Sequence, residues 1–280
     1  MSAVPRATRR AIIFLMSACC VALTLWMPAQ AESQRGPEPT LAPATAKDSL
    51  LVVELFTSQA CATCPPADKL LSEIAKRPGI LALTLPVNYW DYLGWKDTLA
   101  TYHNVRRQKF YARHFDETKL YTPQMVIGGV IEAVGSNRAA VERAITAARK
   151  LRGPQVPIYL QVVKGRLDIR IPAMKGFSSQ PRTVWIAYFD DNIAVAIKRG
   201  ENRGRKLTYT NVLRQYAAIG VWAGKEIRLS LPYDEILAGD YDNCAIFVQN
   251  PRGGVIVGAV QLRLKNRIAA SENKILSERF

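Results

Sequence analysis

The tetrapeptide Cys61-Ala62-Thr63-Cys64 runs directly into Pro65-Pro66. Neither proline can donate a main-chain hydrogen bond, and neither fits past the first turn of a helix or inside a central strand. A helix here must therefore begin at the prolines, with Thr63 as the expected N-cap and Cys64, Pro65 and Pro66 in its first turn. Cys61 then stands in the turn just outside. The flanks agree. Residues 50–56 form an apolar run centred on Val52 and Val53, as in a strand buried on both faces. Residues 64–76 place Leu70, Leu71, Ile74 and Ala75 on one helical face.

Residues 80–87 repeat the buried-strand pattern. Residues 97–114 read as a long helix, with Leu99, Tyr102, Val105, Lys109 and Phe110 roughly periodic. Short strand patterns at 124–127 and 130–134 flank Gly128-Gly129, a two-residue hairpin signal. Ser136 opens another helix, with Val141, Ala144, Ile145 and Ala148 on one face. Residues 49–152 are thus expected to form an α/β domain of order β-α-β-α-β-β-α. After Arg152-Gly153-Pro154 the texture changes. Strand patterns at 156–163, 166–171, 183–189, 193–197, 207–213, 226–231, 244–249 and 255–262 predict an all-β sandwich-like domain over 153–264. Residues 265–280 read as a polar tail.

The 280 residues are 49% apolar and 22% charged, which supports sizeable cores and excludes low-complexity and wholly disordered classes. Arg6, Arg9 and Arg10 precede an uncharged, mostly apolar run over 11–27 that ends in Ala29-Gln30-Ala31. A positive start, an apolar middle and a small-x-small end mark a cleaved secretory signal over residues 1–31. The competing readings are an uncleaved anchor, for which the run is short, and a lipoprotein acylated at Cys19 or Cys20. Cleavage removes three arginines and no acid, so the net charge falls from +15 to +12. That charge favours anionic partners and surfaces without bearing on the fold. Residues 32–48, with Pro37, Pro39 and Pro43, read as a flexible leader. No transmembrane segment is expected after signal removal, and the expected location is periplasmic or secreted.

Of five cysteines, Cys61, Cys64 and Cys244 remain after cleavage, too few for a scaffold of structural disulfides. The spacing of Cys61 and Cys64 admits a redox dithiol, part of a metal site, or an inert pair. A structural zinc needs two further ligands. His103 and His114 would lie about 16 Å apart along one helix, so no resident metal or other cofactor is expected. Copper(I), which two thiolates can hold, is the metal alternative. As a redox pair the chemistry follows from position. The thiolate is the attacking species, and the partial positive charge of a helix N-terminus lowers a thiol pKa from about 8.5. Cys61 would attack a disulfide and Cys64 would resolve the mixed disulfide. Cys244, beside Ala245-Ile246-Phe247, reads as an inert buried thiol.

Thr122-Pro123 stands immediately before the 124–127 strand. Strand, Cys-x-x-Cys, helix, then a Pro-led hairpin and a last helix resemble the thioredoxin-like superfamily over residues 50–150. Pro123 falls at the position of its cis-proline. Glu54-Leu55-Phe56-Thr57-Ser58-Gln59, Cys61-Ala62-Thr63-Cys64-Pro65-Pro66-Ala67-Asp68 and Tyr121-Thr122-Pro123-Gln124 are similar to a secreted bacterial family, domain of unknown function 1223. Arg199-Gly200-Glu201-Asn202, Gly204 and Leu207 extend the likeness into the second half. The superfamily resemblance implies exchange with protein thiols and disulfides, a Cys61–Cys64 disulfide when oxidised, and Pro123 and Thr122 presenting an extended substrate. No Trp precedes Cys61, and the intervening pair is Ala-Thr rather than Gly-Pro or Pro-His. The direction of the redox reaction is therefore not implied.

Other residues carry two readings each. Glu54 is either a proton acceptor near the resolving thiol or a strand glutamate paired with a lysine. Trp90 and Tyr92 either line a peptide groove beside Cys61 or cap the core. The segment from Lys198 to Lys206 holds five cations and one anion, as an anionic surface contact or a solvated loop. Nucleic acid is not an expected partner. The leading function is thiol–disulfide exchange on periplasmic proteins. The alternatives are copper(I) delivery through the same thiolates and a non-catalytic interaction module with a structural disulfide. Mass spectrometry of the exported form should find Glu32 at its N-terminus. A product that retains Met1, or begins at a lipidated cysteine, would overturn that expectation.

Overall fold

The computed structural model describes residues 44–45, 49–177, 180–251 and 254–264. The expected signal, nearly all of the leader and the polar tail lie outside these residues. The elements of the first half follow the expected order: β2 (Leu51–Thr57), α1 (Pro65–Ile74), β3 (Ile80–Pro86), α2 (Tyr102–His114), β4 (Gln124–Ile127), β5 (Ile131–Val134) and α3 (Arg138–Leu151). A two-residue strand, β1 (Ala44–Thr45), precedes them. The second half holds β6 (Tyr159–Val163), β7 (Arg166–Ile171), β8 (Arg182–Ala196), β9 (Lys206–Trp222), β10 (Ile227–Pro232), β11 (Asn243–Gln249) and β12 (Ile256–Arg263). One short helix, α4 (Tyr233–Ala238), interrupts a half expected to be all-β.

Local chemistry accounts for the boundaries. Cys64, not Thr63, occupies the cap of α1, and Pro65 and Pro66 take its first two positions, where the missing N–H groups cost nothing. The expected helix over 97–114 begins only at Tyr102. Thr101 caps it by accepting from the Asn104 N–H at 3.2 Å, and Asp97 upstream folds the chain into a turn instead. α3 starts behind Asn137, which accepts from the Ala140 N–H at 3.0 Å. The hairpin turn spans three residues, not two, because pairing resumes at Ile131. A Cβ on Gly129, at φ +69°, would stand 2.5 Å from the Gly254 carbonyl oxygen, so only glycine fits that close approach. The expected strands at 183–189 and 193–197 are one long strand, β8, whose pairing with β9 shifts register at Val184/Trp185 and at Tyr188/Phe189 and runs on past 190.

The described strands form two sheets: a large mixed one of order β12-β11-β8-β9-β3-β2-β4-β5 and a separate antiparallel one of order β1-β6-β7-β10. β2 and β3 pair in parallel, from Leu51↔Ile80 to Thr57↔Pro86. The second half builds a core between the two sheets, in which Leu160, Leu167 and Ile169 of the small sheet share a buried cluster with Ile186, Ile246 and Val260 of the large one. It is not closed off from the first half. β9 joins β3 at Thr84↔Val212. Thr84 donates to the Thr210 carbonyl at 2.6 Å, and Asn211, at φ +51°, donates its side-chain amide to the Ala82 carbonyl at 2.8 Å. The two faces of β2 bury different partners. Leu51, Val53 and Leu55 meet α1 and α3, while Val52 and Phe56 share a core with Val105 and Tyr111 of α2 and with Phe189, Leu213 and Phe247 of the second half.

Glu54 lies on that second face, 1% exposed, in a bidentate ion pair with Arg107 of α2, itself 2% exposed. Tyr111 donates its hydroxyl to the same carboxylate. Gln249 of β11 accepts from Arg107 at 3.4 Å and donates to the Tyr111 oxygen at 3.0 Å. Removing one partner of such a pair strands the other charge in the core, at a cost of about 3–5 kcal/mol. Arg107→Met should lower unfolding stability by about that amount in urea titration, and the double variant Glu54→Leu/Arg107→Met should recover most of it. A loss under about 1 kcal/mol in the single variant would show that the pair contributes little.

Candidate functional site

The Cys61 loop is a series of short turns. After β2, the Ser58 carbonyl accepts from the Cys61 N–H at 3.2 Å and the Ser58 hydroxyl oxygen accepts from the Ala60 N–H at 3.2 Å. The Cys61 carbonyl then accepts from the Cys64 N–H at 3.3 Å. Cys61 and Cys64 are joined as a disulfide with Cα atoms 5.5 Å apart. Cys61 keeps a little solvent exposure, 5% against 0% for Cys64, and its sulfur lies 3.4 Å from Thr63 Oγ1. The Thr122–Pro123 bond is cis, and the Thr122 carbonyl oxygen is 3.9 Å from Cys61 Sγ. Sequence and structure thus bring Cys61, Cys64, Thr122 and Pro123 together.

The aromatic loop closes one side. Trp90 donates its indole N–H to Thr122 Oγ1 at 2.7 Å. Tyr92 stacks obliquely on Trp90 with centroids 6.0 Å apart and is 74% exposed. A single 3₁₀ turn, Asp91–Leu93, holds this loop. Cys61, Ala62, Thr63, Trp90, Leu93 and Thr122 line a cavity of about 390 Å³, and Glu201 completes its wall. Tyr92 is not among the lining residues. Glu54 faces α2 and is held by Arg107 and Tyr111, on the side of β2 opposite α1 and its Cys64.

Four organising residues were given no role of their own by the sequence reading. Gln59 accepts from the Trp95 indole at 2.8 Å through its side chain, fixing the aromatic loop to the Cys61 loop. Asp97 accepts from the Gln59 backbone N–H at 2.8 Å. Its other oxygen accepts from the N–H groups of Leu99 and Ala100, a side-chain turn that an Asp before Thr-Leu-Ala could have signalled. Asn202, 1% exposed, donates to the carbonyls of Gln59 at 3.0 Å and Cys61 at 2.9 Å, and its own oxygen accepts from Arg205. The charged segment read as an anion contact or a solvated loop is therefore latched onto the dithiol turn by its one neutral amide. Asp68, one turn into α1 from Cys64, is the fourth. Both of its carboxylate oxygens are buried, with the Thr57 hydroxyl beside them and the buried Tyr209 hydroxyl nearby.

Burial pushes Asp68 up to about 7, with the Thr57 hydroxyl opposing the shift and Asp97 adding repulsion, and burial likewise pushes Asp97 to about 6. Cys244 is a free, fully buried thiol pushed up to about 12 by the same cause, so it is no nucleophile at neutral pH.

The family described as "Protein of unknown function (DUF1223)" matches residues 52–249. The chain is similar to the crystal structure of protein AGR_C_4864 from Agrobacterium tumefaciens, at 31% identity and a TM-score of 0.67, over 79% of this chain and 97% of that one. It shares a fold with HBP35 of Porphyromonas gingivalis, at 11% identity and a TM-score of 0.54, over 77% and 75% of the two chains. Among curated proteins it is 49% identical over 39 residues to a "Probable Thioredoxin" of Archaeoglobus fulgidus. That stretch is 14% of this chain and 43% of the relative, so the chain spans less than half of the curated relative's length.

The Asp68 carboxyl makes stability depend on pH. Between its free value of 3.8 and about 7 the folded chain keeps a proton that the unfolded chain has lost. Its contribution is fully present below the lower value and is lost as pH rises through about 7, by roughly 4 kcal/mol at most. Asp68→Asn should therefore raise the urea midpoint at pH 8 and leave it nearly unchanged at pH 4. No gain at pH 8 would show that the buried charge is compensated.

Proposed function

The chain belongs to the DUF1223 family of proteins of unknown function, and we propose that it carries out thiol–disulfide exchange on protein substrates through Cys61 and Cys64. The single observation that carries the reading is the placement of a Cys61–Cys64 disulfide at a helix start, with Cys61 Sγ beside Thr122 on the floor of an open groove. The short stretch of likeness to a probable thioredoxin supports it. So does the β-α-β-α-β-β-α order, on which we read residues 49–152 as a thioredoxin-like unit and 153–264 as a sandwich-like appendage fused to it by the large sheet.

In this reading the Cys61 thiolate attacks a substrate disulfide, forming a mixed disulfide and releasing one substrate thiolate. Cys64 then attacks the Cys61 sulfur, the second substrate thiolate leaves, and the dithiol has given up two electrons. A substrate dithiol reverses every step. Thr63 Oγ1, 3.4 Å from the Cys61 sulfur, is placed to donate a hydrogen bond to its thiolate. Pro123 and Thr122 present the substrate strand, with Trp90 bracing Thr122 through its indole N–H. The segment before Glu32 is read as a cleaved signal and the location as periplasmic or secreted. No helix among the described residues is long and apolar enough to cross a membrane.

Cys64→Ser retains the attack and removes the release, so it should accumulate mixed disulfides with periplasmic proteins. Cys61→Ser should trap none, and Cys244→Ser should behave as wild type. Non-reducing electrophoresis after acid quenching reads all three. Trapping through Cys244, or none in Cys64→Ser with Cys61 reduced, would move the assignment to copper(I) binding or a structural disulfide.

A further inference from the structure

Among the described residues lining the groove beside Cys61, Glu201 is the one charged side chain. It is exposed, and no ion pair among the described residues engages it. Its backbone is nevertheless fixed. The neighbouring Asn202 amide holds the carbonyls of Gln59 and Cys61. On the other side, a Cβ on Gly200, at φ +73°, would stand 3.2 Å from Trp95 Cβ and 3.3 Å from the Leu93 carbonyl oxygen. Arg203 and Arg205 close the same loop by backbone bonds to Gly200 and Asn202. None of the five cations of the segment from Lys198 to Lys206 lines the groove, and Arg205 is turned to the Asn202 oxygen at 3.1 Å.

Resting on the exchange reading of the site, we propose that Glu201 is a specificity-determining residue. It selects disulfides flanked by cationic or neutral residues and disfavours anionic ones, glutathione disulfide included. A reacting sulfur must come to Cys61, which brings the residues beside it against the Glu201 carboxylate. Charges in contact at a partly covered groove interact strongly, whereas the protein's net positive charge acts on a ligand only through a screened field with a range of about 8 Å. The long-range field therefore gathers anions at the surface, and Glu201 sorts what enters. Like-charge juxtaposition is a general means of rejecting wrong partners. For a small acidic disulfide, one carboxylate on the groove wall is a like charge close to the reacting sulfur.

The experiment is single turnover. The full mature chain, reduced with dithiothreitol and freed of it, is mixed with symmetric peptide disulfides that differ only in carrying Lys, Gln or Glu beside the cysteine. Glutathione disulfide is run alongside. Each turnover oxidises the Cys61–Cys64 dithiol and reduces one peptide disulfide to two thiols, read by acid quench and mass spectrometry. Relative to wild type, Glu201→Gln should cut the Lys-to-Glu rate ratio about fivefold, and Glu201→Lys should cut it further, with both effects shrinking in high salt. The Gln-peptide rate should stay within about twofold throughout, a tolerance well below that expected charge effect. An unchanged ratio in both variants, or an equal fall in all peptide rates, would overturn the selectivity while leaving the exchange reading in place. No reaction of the reduced wild type with any peptide would overturn both.

Discussion

The Glu54 carboxylate takes bonds from Arg107 and Tyr111 in a place where neither charge would be tolerated alone. Around it converge the central strand β2, the helix α2 and, through Gln249, the strand β11. Arg107 also lies 5.1–5.3 Å from the rings of Tyr111, Tyr216 and Phe247, so the cation is enclosed by aromatic faces as well as by its counter-ion. Because geometry must be satisfied for every member at once, the network dictates how α2 and the second half lie on β2. The dithiol turn begins where β2 ends, so its foundation is set by this pair on the opposite face.

What the sequence made legible was periodic. The buried runs at β2 and β3, the apolar faces of α1 and α3, and the helix start imposed by Pro65-Pro66 each follow from local chemistry. The dithiol and the Thr122-Pro123 element were legible because chain order and residue type carry them. What escaped was non-local. Nothing beside Asn202 in the sequence says that its amide reaches Gln59 and Cys61. Glu54 was readable as a proton acceptor or as a strand glutamate paired with a lysine, whereas its partner is the arginine of α2, 53 residues away. The 97–101 segment was misread as helix because apolar spacing is blind to an aspartate that folds the backbone around itself.

The change of texture at Arg152-Gly153-Pro154 is not matched by a break in the large sheet. Arg152 and Gly153 do follow the end of α3. Yet the large sheet passes through both halves, and the core on the α2 face draws residues from each. The seam at β3 and β9 has a single ladder pair, with the side chains of Thr84 and Asn211 supplying bonds that a continued ladder would otherwise make. A left-handed backbone at Asn211 turns its amide toward β3, a conformation asparagine tolerates better than most residues.

The latch between Asn202 and Cys61 spans 141 residues. A polypeptide is made from its N-terminus onward. Cys61 and Cys64 therefore emerge together, close enough to join, while the amide that later grips the Cys61 carbonyl is still to come. During that interval the pair is an ordinary vicinal dithiol on a nascent strand–turn–helix, open to whatever oxidant or reductant surrounds it. Only when the last third of the chain arrives does the loop around it acquire its final wall. Maturation of the site is thus a matter of timing as well as of structure.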